Sequence, residues 1–270
     1  MTSLIRLEGV GKRYGRGEPV LADVDLDVPA GRVLGILGSN GSGKSTLLRI
    51  LAALARETSG TVVGDPRVGY LPDRFPAGQR MSARAYLRHM ARIDGHVDLS
   101  AIDPLLGRLA LVGGPDAPLR TLSKGNAQKV GLAQAVLAEP DLLILDEPWS
   151  GLDVEAHTVL GELVAETKER GASVVFTDHR ASVVHAHADD VYRIDDGLLT
   201  RVEAVAKTES ATRIVLHGPS VDWSSEPGVS HVVAEDGKVV LTVEAGHADA
   251  VLLRALNRGF SVREVAPCSP

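Results

Sequence analysis

The stretch Val33-Leu34-Gly35-Ile36-Leu37-Gly38-Ser39-Asn40-Gly41-Ser42-Gly43-Lys44-Ser45-Thr46-Leu47-Leu48-Arg49-Ile50-Leu51-Ala52-Ala53-Leu54 decides the fold of this chain. It opens on a short apolar run, the mark of a strand buried on both faces. It closes with Leu47, Ile50, Leu51 and Leu54 at i, i+3, i+4 and i+7, the spacing of one helix face. Between them, Gly38–Ser45 fits G-x-x-x-x-G-K-[ST]. Strand, glycine loop and helix in that order make a phosphate cradle. Glycine lets the backbone curl until successive N–H groups converge on an anion, and the helix N-terminus adds its own unpaired donors. Lys44 then reaches the β- and γ-phosphates, and the Ser45 hydroxyl is placed to ligate Mg²⁺. An incidental glycine-rich turn before Lys-Ser would not be framed by a strand and a helix.

Composition narrows the classes. A chain of 270 residues suffices for one large domain, or for one domain and a small appendage. A net charge of -6 argues against nucleic acid as the main partner. The opening Met1-Thr2-Ser3-Leu4-Ile5-Arg6 lacks the charged and apolar regions of a secretion signal, and no run approaches the roughly 20 apolar residues of a membrane span. With Cys268 as the sole cysteine, neither a disulfide framework nor a cysteine zinc site forms within one chain. The expectation is a soluble cytoplasmic protein, any membrane part being a separate chain.

Outward from the cradle, Val24, Leu26 and Val28 alternate with acidic residues and predict an antiparallel strand with one wet face. Residues 62–63 and 68–71 read as short strands. Helices are predicted over 83–93, 102–111 and 125–138, and these look like a lobe inserted at about 76–138. The strands 142–145 and 172–177 flank a helix over 154–170. Strands alternating with helices imply a mostly parallel sheet covered on both faces. After Asp195-Asp196-Gly197 the pattern shifts. Strands at 211–217, 238–243 and 261–265 with a helix at 248–257 predict a small α+β appendage over 206–270, beyond a main domain over 1–205.

Further constellations carry chemistry. Strand 142–145 ends in Asp146-Glu147, an acidic pair at the carboxyl edge of the sheet beside the cradle. Asp146 suits Mg²⁺ through water, and Glu147 suits the orientation of an attacking water. Leu122-Ser123-Lys124-Gly125-Asn126 precedes a helix and reads as a second anion site or as a plain N-cap. Ser150-Gly151-Leu152-Asp153 reads as a turn with Asp153 capping the next helix. His179 follows strand 172–177 and points toward the nucleotide crevice. His185 and His187 near Asp189-Asp190 read more simply as a helix end than as a metal cluster.

Together, and in this order over residues 3–200, these pieces resemble the ATP-binding-cassette (ABC) ATPases. Gly38–Ser45 resembles the Walker A loop, Leu142–Asp146 with Glu147 the Walker B strand and catalytic glutamate, Leu122–Asn126 the signature motif, Ser150–Asp153 the D-loop and His179 the switch histidine. The resemblance implies a P-loop NTPase core with an antiparallel β subdomain and an inserted helical lobe. It implies ATP and Mg²⁺ as cofactors. Gly38, Ser39, Asn40, Gly41, Ser42, Gly43, Lys44, Ser45 and Thr46 would hold nucleotide, with Tyr14 stacking on adenine. Ser123, Gly125 and the following helix N-terminus would complete the site from a second copy in a head-to-tail pair, and Asn126 and Asp153 are further implied nucleotide-binding residues. Glu147, His179 and Lys44 would be catalytic, and Ser45, Asp146 and Asp73 would face the metal. The chain departs from the family pattern at Lys124 (for glycine), Asn126 (for glutamine) and Asp73 (at the Q-loop position). The runs Tyr70–Asp73 and Glu147–Ser150 look closest to exporter subunits. The implied partners are a separate integral membrane permease, received by the helical lobe, and a second identical subunit, with the protein peripheral on the inner membrane face. A soluble non-transport ABC ATPase is the alternative. Such relatives usually carry coiled-coil insertions, zinc cysteines or two cassettes per chain, and none of these stands in this sequence.

Overall fold

A computed structural model describes residues 3–202, 212–218, 223, 226–235, 238–243 and 247–267, which fall in two compact units, Met1–Glu203 and Ala204–Pro270. The expected boundary near residue 205 and the cysteine at 268 lie outside the described residues.

In the first unit, β1 (Ser3–Arg13), β2 (Pro19–Pro29) and β4 (Ser59–Val63) form an antiparallel sheet in the order β2-β1-β4. A second sheet contains β3 (Val33–Leu37), β5 (Val68–Leu71), β6 (Leu142–Asp146), β7 (Ser173–Thr177), β8 (Asp190–Asp195) and β9 (Leu198–Val202), in the order β5-β6-β7-β3-β8-β9. Its strands are parallel except β9, which returns antiparallel on β8. Asp196 and Gly197, with φ of 48° and 78°, make the two-residue turn of that hairpin. The change of pattern expected at this point therefore comes one strand later.

The central strands face two cores. Leu142 and Ile144 of β6 and Val175 of β7 point into a core shared with β1, β2 and α1 (Lys44–Leu51). Leu143, Leu145, Val174 and Phe176 point into the other, with α2 (Ala83–Asp94), α3 (Ile102–Leu109), α4 (Lys124–Leu137) and α5 (Val154–Glu169). Side chains alternate across a strand, so a continuous apolar run supplies both layers. One face of the sheet is thus covered by a helix and an antiparallel sheet, and the other by helices. The helices expected as a separate lobe share the core of the sheet. α4 lies so close to β5 that a Cβ on Gly131 would meet Leu71 and Phe75 at 2.7 Å, and one on Gly69 would meet the Ala135 carbonyl at 2.0 Å.

Two helices end sooner than periodicity predicts. In α1 the amide N–H groups of Ala53 and Leu54 turn back to the carbonyls of Ile50 and Arg49. Ala53 adopts φ 55° and Leu54 emerges 63% exposed instead of joining the apolar face. α3 stops at Leu109 because Ala110 takes φ 46°.

The second unit holds β10 (Thr212–His217), β11 (Val229–Glu235), β12 (Lys238–Val243) and β13 (Ser261–Pro267), an antiparallel sheet in the order β11-β12-β10-β13. A helix over Ala248–Asn257 packs on it around Trp223, Leu241, Val251 and Phe260. Periodicity did not reveal β11.

Candidate nucleotide site

Strand register assembles the site. Asp146, the last residue of β6, lies opposite Thr177 of β7, and Thr177 lies opposite Ile36 of β3, two residues before Gly38. The acidic pair and the phosphate loop therefore emerge side by side at one carboxyl edge. Asp146 is buried and accepts a 2.8 Å hydrogen bond from the Thr177 hydroxyl. The Thr177 hydroxyl oxygen in turn accepts the Glu147 amide N–H at 3.0 Å. Glu147 sits at φ 48°, a left-handed conformation that costs a non-glycine residue of order 1 kcal/mol or more. Thr177, which the motifs do not include, thus holds both acidic residues.

In the loop, the Lys44 ammonium donates to the Gly38 and Ser39 carbonyls at 2.8 and 2.9 Å. A Cβ on Gly38 would meet Ser42 Oγ at 2.6 Å and the Ile194 carbonyl at 2.8 Å, so the loop is closed around glycine. Gly43 has φ 105° and begins α1. Among the described residues, Ser42 Oγ is a buried oxygen with no protein partner. An orphaned hydroxyl and curled amides fit phosphate oxygens. The oxygens of Ser45 and Asp146, which line the same cavity, fit a hard divalent cation.

Glu147 lies between Lys44 and His179. One carboxylate oxygen lies 3.8 Å from Lys44 Nζ and the other 3.8 Å from His179 Nδ1. Behind His179, buried Asp178 is gripped by the Arg180 guanidinium at 3.0 and 2.9 Å and by its amide at 2.8 Å. Burial pushes the Asp178 carboxyl up, but the bonds from Arg180 prevail and hold it below its ordinary value. Asp178 and Arg180 brace the turn that carries His179, and no motif announced them.

The predicted site residues divide into two clusters. An open cavity of about 470 Å³ is lined by Asn40, Gly41, Gly43, Lys44, Ser45, Thr46, Asp73, Lys124, Asp146 and Glu147, among others. A second, of about 550 Å³, is lined by Ser123, Gly125, Asn126 and Asp153, with Val112 and Gly151. Within one chain the two cradles do not merge. Tyr14 lines neither; it is 52% exposed with the Lys12 ammonium 4.9 Å from its ring centre.

Four of the expected site residues already have partners within the chain. The Asn126 amide bonds the backbone of Val112, accepting its N–H at 3.3 Å and donating to its carbonyl at 3.2 Å, and so fixes a loop at the edge of the second cradle. The Ser123 hydroxyl caps α4 by accepting the Asn126 N–H. Asp153 caps α5 through the Ala156 N–H at 2.8 Å and pairs with the buried ammonium of Lys129 at 2.9 Å, contacts that depress its pKa. Asp73, expected at the metal, lines the cavity of Ser45 and Asp146, with its carboxylate 3.8 Å from Lys124 and 3.9 Å from Arg74.

The residues near 185–190 are structural. His187 stacks on Trp149 at 4.8 Å, and burial, then His157, push its pKa down. Asp189 pairs with Lys168, and Asp190 with Arg32 and Arg201.

The model of the ABC transporter family matches residues 21–150. The zinc import ATP-binding protein ZnuC of Pseudomonas putida is 37% identical over 194 residues, covering 70% of this chain and 74% of that protein. ZnuC of Paramagnetospirillum magneticum is 33% identical over 258 residues, covering 90% and 95%. A solved ATP-binding subunit of an ABC transporter superposes with a TM-score of 0.68 at 26% identity, over 74% of this chain and 90% of that one.

Proposed function

This chain belongs to the ATP-binding subunits of ABC transporters and is an ATPase of that family, and from that premise we propose that two copies, docked on a separate membrane permease, turn ATP binding and hydrolysis into transport. One observation carries the catalytic part: Lys44, Glu147 and His179 converge within 3.8 Å contacts beside Ser45 and Asp146. Lys44 leaves the loop carbonyls for the phosphate oxygens. Glu147, held in place through Thr177, aligns the attacking water and takes its proton. His179 and Lys44 stabilise charge growing on the γ-phosphate. Ser45 and Asp146 would hold Mg²⁺, which neutralises charge on the β- and γ-oxygens when bound.

The need for two copies rests on the two separate cradles. A head-to-tail pair sets the Ser123–Gly125 cradle of each chain against the phosphate loop of the other, a closed two-fold arrangement. Among the described residues no helix is long and apolar enough to cross a membrane, which suits a subunit working at the inner membrane face through its permease.

Glu147→Gln tests the reading. It should bind ATP, lose roughly 100-fold or more in turnover, and accumulate as an ATP-bound dimer on gel filtration. Turnover near the parent rate would remove Glu147 from its role.

The direction of transport divides two readings. Resemblance at Tyr70–Asp73 and Glu147–Ser150 supports export, whereas the names of the ZnuC relatives support zinc import. Proteoliposomes of the complex with the cassettes outside, loaded with Zn²⁺, separate them. Loss of luminal Zn²⁺ on adding ATP assigns import, and retention favours export.

A further inference from the structure

Three successive residues at the start of α4 face two different cavities. Ser123 and Gly125 line the cradle offered to a second copy, while Lys124 between them lines the cavity of its own phosphate loop, with Lys44, Ser45 and Glu147. The Lys124 ammonium lies 3.8 Å from Asp73 in the same cavity wall. Both side chains are about half exposed, at 54% and 42%, and an ion pair of that kind is weak and easily exchanged. The two are nevertheless kept together. One turn along α4, buried Gln128 donates through Nε2 to the Pro72 carbonyl at 3.2 Å, tying the 72–73 turn to the helix whether or not the ions pair.

We propose that Lys124 binds the terminal phosphate of the nucleotide on its own chain, and that Asp73 holds its ammonium until a triphosphate competes for it. The proposal rests on the reading of the cavity as the ATP site. A triphosphate presents several negative charges where Asp73 presents one, and the long flexible lysine stem lets the ammonium swing between them. ADP lacks the phosphate concerned. The pair therefore discriminates ATP from ADP within a single subunit, before any dimer forms. Residues 123 and 125 keep their role toward a second copy.

The test measures ATP and ADP affinity on the full chain, by competition with a fluorescent ATP analogue, at a dilution where sedimentation shows monomer. Lys124→Met should weaken ATP by about threefold to fivefold and leave ADP unchanged, and Lys124→Arg should restore most of the loss. Asp73→Asn should tighten ATP, and this gain should vanish in the Asp73→Asn/Lys124→Met double variant, since it needs the lysine. Unchanged ATP affinity in monomeric Lys124→Met, with only dimer formation impaired, would assign the ammonium to the partner's nucleotide and overturn the proposal. Asp73→Asn with parental ATP affinity would overturn the holding role. Lys44→Ala is the control on the premise: if it binds ATP as tightly as the parent, the cavity is not the ATP site, a failure distinct from either of the others.

Discussion

At the scale of single residues, the catalytic turn hangs on one hydroxyl that no motif includes. Thr177 donates to Asp146 and accepts from the Glu147 amide, so it sets the carboxylate expected near the metal and the carboxylate expected at the water. Thr177→Val keeps the shape and removes both bonds. Leaving a buried carboxylate short of a donor costs about 1–3 kcal/mol, measurable by urea unfolding. Turnover should fall about tenfold, while ATP affinity, set by the phosphate loop, should change little. A variant with parental turnover would show that Glu147 holds its place without this bond. Thr177 was legible as the end of a strand beside His179. Its bonding was not, because it depends on β6 and β7 lying in register across 31 positions of sequence.

At the scale of elements, the second cradle is supported from beneath. The Lys129 ammonium of α4, only 4% exposed, meets the cap of α5 at Asp153. Removing the anion strands a buried cation, whereas removing the cation leaves an exposed cap intact. Asp153→Ala should therefore lower Tm more than Lys129→Met does, and the double variant should recover part of the loss. Equal and additive shifts would mean the pair is uncoupled. Trp149, two residues after the acidic pair, is 2% exposed, packed edge-on against Phe176 at 4.9 Å and stacked on His187. Its carbonyl lies 3.1 Å from His157 Nε2 on α5. Trp149→Ala should cost about 3–5 kcal/mol by chemical denaturation. Apolar periodicity located most helices. It overran the ends of α1 and α3, where the chain turns through left-handed alanines that carry no sequence signal of their own.

At the scale of the whole molecule, acid should unfold the protein through a few carboxylates. Asp178, Asp189 and Asp190 each feel burial pushing the pKa up, outweighed by bonds from Arg180, from Lys168, and from Arg32 with Arg201, so each is held below its ordinary value. Depressed folded-state values mean that these groups stabilise the fold above the unfolded carboxylate pKa of about 3.9, and that this stability is lost as pH falls through the folded values. Urea midpoints should therefore stay level from pH 7 to about 5 with respect to these groups and drop below about 4. Arg180→Met should flatten that drop, as Asp178 loses the partner that depresses it.

The sequence by itself determined the phosphate loop, the acidic strand end, the alternation of strands and helices, and the family order of motifs. Each of these is a local pattern, readable because glycine conformation, strand alternation and helix period act over a few residues. Only the tertiary structure decided what the side chains of those motifs touch. It turned Asn126 inward onto Val112, spent Asp153 on Lys129, paired Asp73 with Lys124, and placed Lys124 in its own chain's cavity while its neighbours face the other. Such partners come from elements brought together by burial of the two cores, and a hydrogen bond or ion pair has no address in sequence until that packing fixes the distance.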